Sequence, residues 1–257
     1  LLALLACGGD DPKSDDTGSS EADTDTDTDA DTDADTDADT DADPTTSGLT
    51  GTLQFTDGSP VAGGTVRLCS LYCITAEADD DGVFSFESMG ADLYAFDAET
   101  HADDDHATLL SFISLDVDEV RTLDLPVILP EWTTSSELSS AGDMVVAGNL
   151  IIDADPDGYT PPLGSTDEEM RLSGVSMDPA TAGLPLASTQ GQVFAMWYLG
   201  TWNTSIDPVW SFHTNEDSGL EAGTQLTILT ADYLGLQWRN EGTATVMVDG
   251  TIASDDG

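Results

Sequence analysis

From Asp23 to Asp43 every odd position of the chain is aspartate, with only Thr or Ala between. Like charges two residues apart repel in any compact form, and the filler residues offer nothing apolar to bury. The tract is therefore expected to be an extended, solvated spacer. Folding is confined to the residues beyond it, which leave room for one or two domains. The acidity does not end there. The chain has 51 Asp plus Glu against 5 Lys plus Arg, and residues 10–43 hold 16 of the acids and one of the bases, leaving 35 against 4 in the body. Such a surface repels anionic lipid headgroups and gathers cations. It has no basic patch to neutralise phosphates, which excludes DNA or RNA as a partner. It suits a protein living outside the cytoplasm in salt that screens self-repulsion. The spacer itself would collect calcium only diffusely, because Ca²⁺ needs six to eight oxygens converging on one ion.

Ahead of the spacer the chain reads Leu1-Leu2-Ala3-Leu4-Leu5-Ala6-Cys7-Gly8-Gly9. Leu4-Leu5-Ala6-Cys7 resembles the lipobox of bacterial lipoprotein signals, in which cleavage precedes a cysteine that is then acylated. The resemblance implies residues 1–6 as a partial signal peptide, Cys7 as the lipid anchor, and residues 7–47 as a lipid-anchored, acidic, disordered linker. Without an initiator Met or a basic n-region, the sequence is expected to start inside the signal. Several acyl chains, at about 0.8 kcal/mol per buried methylene, would make the anchor durable. Gly8 in place of Asp implies the outer membrane. After the leader no stretch approaches 18 apolar residues, so no further segment reads as a spanning helix.

Residues 48–125 switch to period two. Leu53 and Phe55, Val66 and Leu68, and Phe84 and Phe86 alternate with polar neighbours. Asp57-Gly58-Ser59-Pro60 and Asp80-Asp81-Gly82 are turn signals, and Leu93–Phe96, Leu109–Leu115 and Val120–Val127 supply further strands. This predicts an antiparallel sandwich of about seven strands. Gly51-Thr52-Leu53, Gly58-Ser59-Pro60-Val61-Ala62-Gly63-Gly64-Thr65-Val66-Arg67-Leu68, Asp79-Asp80-Asp81-Gly82-Val83-Phe84-Ser85-Phe86 and Ala91-Asp92-Leu93-Tyr94 together resemble the carboxypeptidase regulatory-like domain, a transthyretin-like Greek-key sandwich. Asp92 stands where that family usually has glycine. The resemblance implies a non-catalytic accessory or adhesive module, and no active-site residue carries over from it.

Cys69 and Cys73 are the remaining cysteines, and in an exported protein two cysteines four apart predict a disulfide closing a small loop. Redox chemistry is disfavoured, since three residues rather than two lie between them. His101-Ala102-Asp103-Asp104-Asp105-His106 is the most ligand-dense hexapeptide. It reads either as an acidic solvated loop or as a Zn²⁺ or Ca²⁺ loop, although the H-E-x-x-H spacing is absent.

Residues 126–257 are expected to form a second antiparallel sandwich, so the fold class is all-β, two sandwich units after a disordered linker. Leu125-Pro126 and Pro130-Glu131 punctuate the join, and Thr133 to Ser140 is hydroxyl-rich. Asp153, Asp155 and Asp157, with Gly158 and the Tyr159 carbonyl, copy the front half of a calcium loop, but Gly164 stands where the bidentate glutamate belongs. An Asx-rich turn is the competing reading. Trp197, Tyr198, Trp202, Trp210 and Trp238 gather in this half, as core or as a sugar-stacking platform. Trp202, in a polar turn, is the candidate ligand contact.

No Gly-x-Ser-x-Gly is present and three histidines leave little scope for a Ser-His-Asp triad. The leading expectation is a non-enzymatic, lipid-anchored protein of the bacterial cell envelope. Its sandwiches would display a surface for carbohydrate or another envelope protein, with no obligatory cofactor. A calcium-dependent adhesion or assembly module is the second reading, and a carbohydrate-active hydrolase using an acidic pair is the third.

Overall fold

The computed structural model describes residues 2–6, 46–100, 105–138, 142–160, 171–187, 189, 191–200, 205–206 and 210–255. In chain order the strands are β1 (Leu2–Ala6), β2 (Ser47–Phe55), β3 (Thr65–Cys69), β4 (Cys73–Glu77), β5 (Val83–Met89), β6 (Asp92–Glu99) and β7 (Leu109–Leu115). They continue as β8 (Val120–Thr122), β9 (Val127–Leu129), β10 (Thr134–Glu137), β11 (Gly142–Ala147), β12 (Leu150–Ala154), β13 (Tyr159–Thr160) and β14 (Arg171–Met177). The last are β15 (Gln192–Leu199), β16 (Ser205–Ile206), β17 (Phe212–Thr214), β18 (Gln225–Asp232), β19 (Gln237–Val246) and β20 (Ile252–Ser254). The protein is all-β, as expected.

Two facing four-stranded sheets build the first body. One runs β5-β2-β8 with β9 also on β2, and the other β4-β3-β6-β7. The alternation seen in sequence is the alternation of burial. Val66 and Leu68 of β3, Phe84 and Phe86 of β5, and Leu49 and Leu53 of β2 are all buried in one core. The turns obey their local chemistry. The Ser59 hydroxyl and amide both donate to Asp57 Oδ1, at 2.6 and 2.9 Å. Those bonds hold the Asp57 carboxyl below the usual carboxylate range, the hydroxyl contributing most. Asp79 Oδ1 accepts from the amides of Asp81 and Val83, and Gly82 then turns with φ +77°. A side chain at Gly82 would collide with the Leu53 carbonyl, so this turn needs glycine twice over. Tyr94 Oη donates to the Gly90 carbonyl at 2.9 Å and pins the β5–β6 turn beside Asp92.

Three expectations for this body change. The stretch Val120–Val127 is two short strands, because Pro126 lacks the N–H that a continuous ladder would use. Both strands pair with β2 in parallel, β8 on Gly48–Thr50 and β9 on Leu53–Phe55, so the sandwich is not wholly antiparallel. The expected boundary between residues 125 and 126 therefore falls within this sheet, and the first body extends through Leu129.

Beyond that point the sequence pattern predicts a second antiparallel sandwich. Its place is taken by one ten-stranded sheet, in the order β10-β14-β15-β1-β18-β19-β20-β17-β12-β11, with β13 and β16 paired beside it. Every pairing in it is antiparallel. The sheet curls until its two ends meet. Thr134 Oγ1 of β10 donates to the Val146 carbonyl of β11, and a Cβ at Gly174 of β14 would strike that same carbonyl. Inside the curl lie Val146, Leu150, Ile152, Leu172, Trp197, Trp210, Phe212, Leu226, Ile228, Val246 and Ile252. The segment expected to be a leader, Leu2–Ala6, is a strand of this sheet.

The two bodies are not separate units. Val175 and Met177 of β14 and Met196 and Tyr198 of β15 belong to the core of the first body. Leu172 and Trp197, on the opposite faces of the same strands, belong to the curled sheet's core. A strand buried on both faces loses the polar alternation, which explains the unbroken apolar run Val193–Leu199. Tyr198 Oη donates to the Leu110 carbonyl at 2.6 Å and accepts from the Leu110 amide at 3.1 Å, tying β15 to β7. Burial pushes its phenol far above the usual tyrosine value. The Ala187 amide donates to Phe112 O, Trp238 Nε1 donates to Ala187 O, and the Phe112 and Trp238 rings meet edge to face at 5.2 Å.

Candidate functional site

Where the chain leaves β9 for β10 it passes the end of the β6–β7 connection. His106 and Glu131 pair as an isolated antiparallel bridge. The Ala107 amide donates to Pro130 O and the Trp132 amide to Asp105 O, each at 2.9 Å. These bonds hold Asp105, His106, Glu131 and Trp132 on one side of a cleft. On the other side Thr133 donates through both its amide and its hydroxyl to Gly174 O, and Ser173 Oγ donates to Ser135 Oγ at 3.1 Å. The cleft has a volume of about 400 Å³ and is lined by Asp105, His106, Glu131, Trp132, Thr133, Thr134, Ser135 and Ser173.

The electrostatics are those of an acceptor-rich, negative site with one imidazole. His106 Nε2 lies 3.9 Å from Glu131 Oε1, and its ring packs 4.7 Å from that of Phe55. Glu131 is well exposed and His106 mostly covered. Trp132 packs against the first body's core and lines the cleft together with His106. Carboxylates accept hydroxyl hydrogens, Ser and Thr hydroxyls donate and accept, and an indole face covers C–H groups. That set fits a neutral polyhydroxylated molecule better than an anion, which the acids would repel.

The residues singled out by sequence are scattered. Cys7 and Trp202 lie outside the described residues, as do 101–104 of the His101–His106 hexapeptide; its last two residues line the cleft. Cys69 and Cys73 form the expected disulfide across the β3–β4 hairpin, with Ser70-Leu71-Tyr72 as its tip. Asp153, Asp155 and Asp157 are exposed, and Tyr159 is buried. Asp155 Oδ1 accepts from the Asp157 amide and its carbonyl from the Gly158 amide, which is the Asx-turn arrangement at the start of the 3-10 turn Pro156–Gly158. Tyr159 stacks on Trp210, and burial raises its phenol. Among the described residues no three His, Cys, Asp or Glu side chains cluster as a metal would require. Trp197 and Trp210 are core, and Trp238 is half-buried at the junction of the two bodies.

Trp132, Glu131 and Ser173 are site residues that sequence reasoning does not single out. Pro130-Glu131 reads as punctuation and Thr133–Ser140 as a hydroxyl-rich join. The signal present was a tryptophan between an acid and a run of hydroxyl residues, directly after a proline.

No family model matches the chain, and no curated protein matches it in sequence. The carboxypeptidase regulatory-like expectation thus gains no support from a family match. Among solved structures it is similar to a streptococcal ancillary pilin, at 14 % identity and TM-score 0.29 over 67 % of this chain and 53 % of that one. It is similar to the TIE protein of Bacillus anthracis at 9 % identity and TM-score 0.30, over 80 % and 42 %. A DUF3823 family protein from Bacteroides ovatus stands at 9 % and 0.25, over 71 % and 89 %. The chain spans about half the length of the first two, and scores this low fall short of a shared fold.

Proposed function

We propose that this is a non-catalytic, lipid-anchored protein of the bacterial cell envelope whose junction cleft binds a saccharide or related polyol. The observation that carries the binding reading is the cleft itself. It combines the Trp132 indole, two carboxylates and four hydroxyl residues in a volume suited to one or two sugar rings. Binding without turnover is supported by how those groups are used. Ser173 donates to Ser135 and Thr133 to the Gly174 carbonyl, so these hydroxyls serve the architecture. The anchor rests on Leu4-Leu5-Ala6-Cys7 and the acidic spacer after it. The disulfide agrees with an oxidising compartment. The first body's turn grammar keeps the carboxypeptidase regulatory-like module as the reading for residues 48–129.

A glycan array probed with the full chain tests the cleft. Retained neutral glycans are expected, with binding lost in Trp132→Ala while the circular dichroism spectrum is unchanged. No retained glycan, or undiminished binding by the Trp132→Ala variant, would sink the proposal.

A further inference from the structure

Strand β1 is joined to the rest of the described chain only through the long acidic segment, yet it occupies the middle of the ten-stranded sheet. It is antiparallel to both neighbours. Leu2–Ala6 pair with Gln192–Trp197 of β15 on one side and with Leu226–Thr230 of β18 on the other. Because both pairings are antiparallel, β15 and β18 run parallel to each other, held two strand spacings apart, or roughly 9.5 Å. Their outer edges are already taken by β14 and β19. Each therefore directs one row of backbone N–H and C=O groups into the gap that β1 fills, and such groups are not left unpaired in a buried place.

The walls of this gap are apolar. Met196 and Trp197 on β15 and Leu226, Ile228 and Leu229 on β18 are buried. The register sets Ala3 across from Met196 and Leu229, and Leu4 across from Ala195 and Ile228, with one shift on the β15 side between Leu4 and Leu5. A proline could not pair on both sides, and a charged residue has no partner here in a chain already rich in acid.

We propose that the gap between β15 and β18 is a strand-acceptor site for an extended, apolar peptide of about five residues. Leu2–Ala6 fills it in cis while that segment remains attached. Once cleavage before Cys7 removes the segment, an apolar strand of a partner polypeptide takes its place. Only this second half rests on the lipid-anchor reading. Main-chain bonds on two sides give the affinity, and the apolar walls give the selectivity.

The test keeps the full chain and places a protease recognition sequence within the acidic spacer. After cutting, the β1 fragment is expected to co-elute with the body. A fluorescent peptide bearing the Leu2–Ala6 sequence and a solubilising tail should then exchange into the site saturably. The same peptide carrying Leu4→Asp should bind at least tenfold more weakly. Hydrogen exchange should slow at the amides of β15 and β18 when the peptide is added. A fragment that leaves on cutting with no change in Tm, or peptide uptake without protection of β15 and β18, overturns the acceptor site. The N-terminal mass of protein extracted from membranes is a separate readout: retention of residues 1–6 there overturns the trans half alone.

Discussion

The first body and the curled sheet are made from the same material, short strands with glycine and aspartate turns, yet they close in different ways. In the first body β3–β4, β3–β6 and β6–β7 join strands near one another in sequence, and the core lies between two faces. In the second, β14 pairs with β10 across a long insertion and β1 with β15 from the opposite end of the chain. The core there lies inside a single curving layer. The difference shows how strands can be specified by burying both of their faces. β14 and β15 do this, and so they serve as the wall of one body and the floor of the other.

The largest effect is expected from Trp197→Ala. This fully buried indole lies on the curled sheet's side of β15 and also donates from Nε1 to Asn149 Oδ1 at 3.1 Å. Its removal should cost about 3–5 kcal/mol in chemical denaturation. If the bodies melt as one, calorimetry will show a single transition moved downward; a first-body transition left in place would contradict a shared wall.

Tyr198→Phe probes that wall from its other face. It removes both hydrogen bonds to Leu110 while keeping the ring, at a cost of about 1–3 kcal/mol. The sign of its pH dependence comes from burial. With the folded phenol raised, the tyrosine's contribution is complete below the unfolded value, about 10, and declines as pH rises beyond it. Wild type should therefore lose stability above about pH 10 more steeply than the variant, as urea midpoints across that range will show.

The smallest effect is expected where the first body's β3–β4 hairpin touches the curled sheet. Replacing Cys69 and Cys73 together by Ser opens a loop of few residues, worth about 2 kcal/mol or less. The tip is exposed, with Leu71 98 % and Tyr72 70 % accessible, but Cys69 is buried in a cluster with Ala231, Tyr233 and Trp238 and Cys73 Sγ accepts from Tyr233 Oη at 3.4 Å, so hydrogen exchange should quicken only locally, where β18 turns into β19. Unaltered exchange at β18 and β19 would show that this contact does not couple the hairpin to the second body.

Legibility in the sequence divides along the same line. Phe84 and Phe86 announce their strand because one face is wet, and Asp57-Gly58-Ser59-Pro60 announces its turn because side chain and backbone bond within four residues. The disulfide is legible for the same local reason. Leu2–Ala6 is not, since a five-residue apolar run reads equally well as a leader or a buried strand, and its partners lie some 190 residues away. The curl is hidden because nothing local records that Thr134 meets Val146 or that Gly174 must leave room for a carbonyl. The cleft is half visible. Asp105 and His106 stand out as dense ligands, whereas Trp132 owes its position to a hydrogen bond with the Asp105 carbonyl, far from it in sequence.

The parallel pairing of β2 with β9 has a mechanical consequence. A pull applied to the chain before Ser47, resisted by the chain after Leu129, draws two parallel strands past each other along their length. Hydrogen bonds between Leu53–Phe55 and Val127–Leu129 are then strained together, in shear, where a hairpin pulled at its open end would unzip one bond at a time. With β8 clamping the same strand further toward its N-terminus, tension entering at Ser47 meets two shear clamps in series along β2.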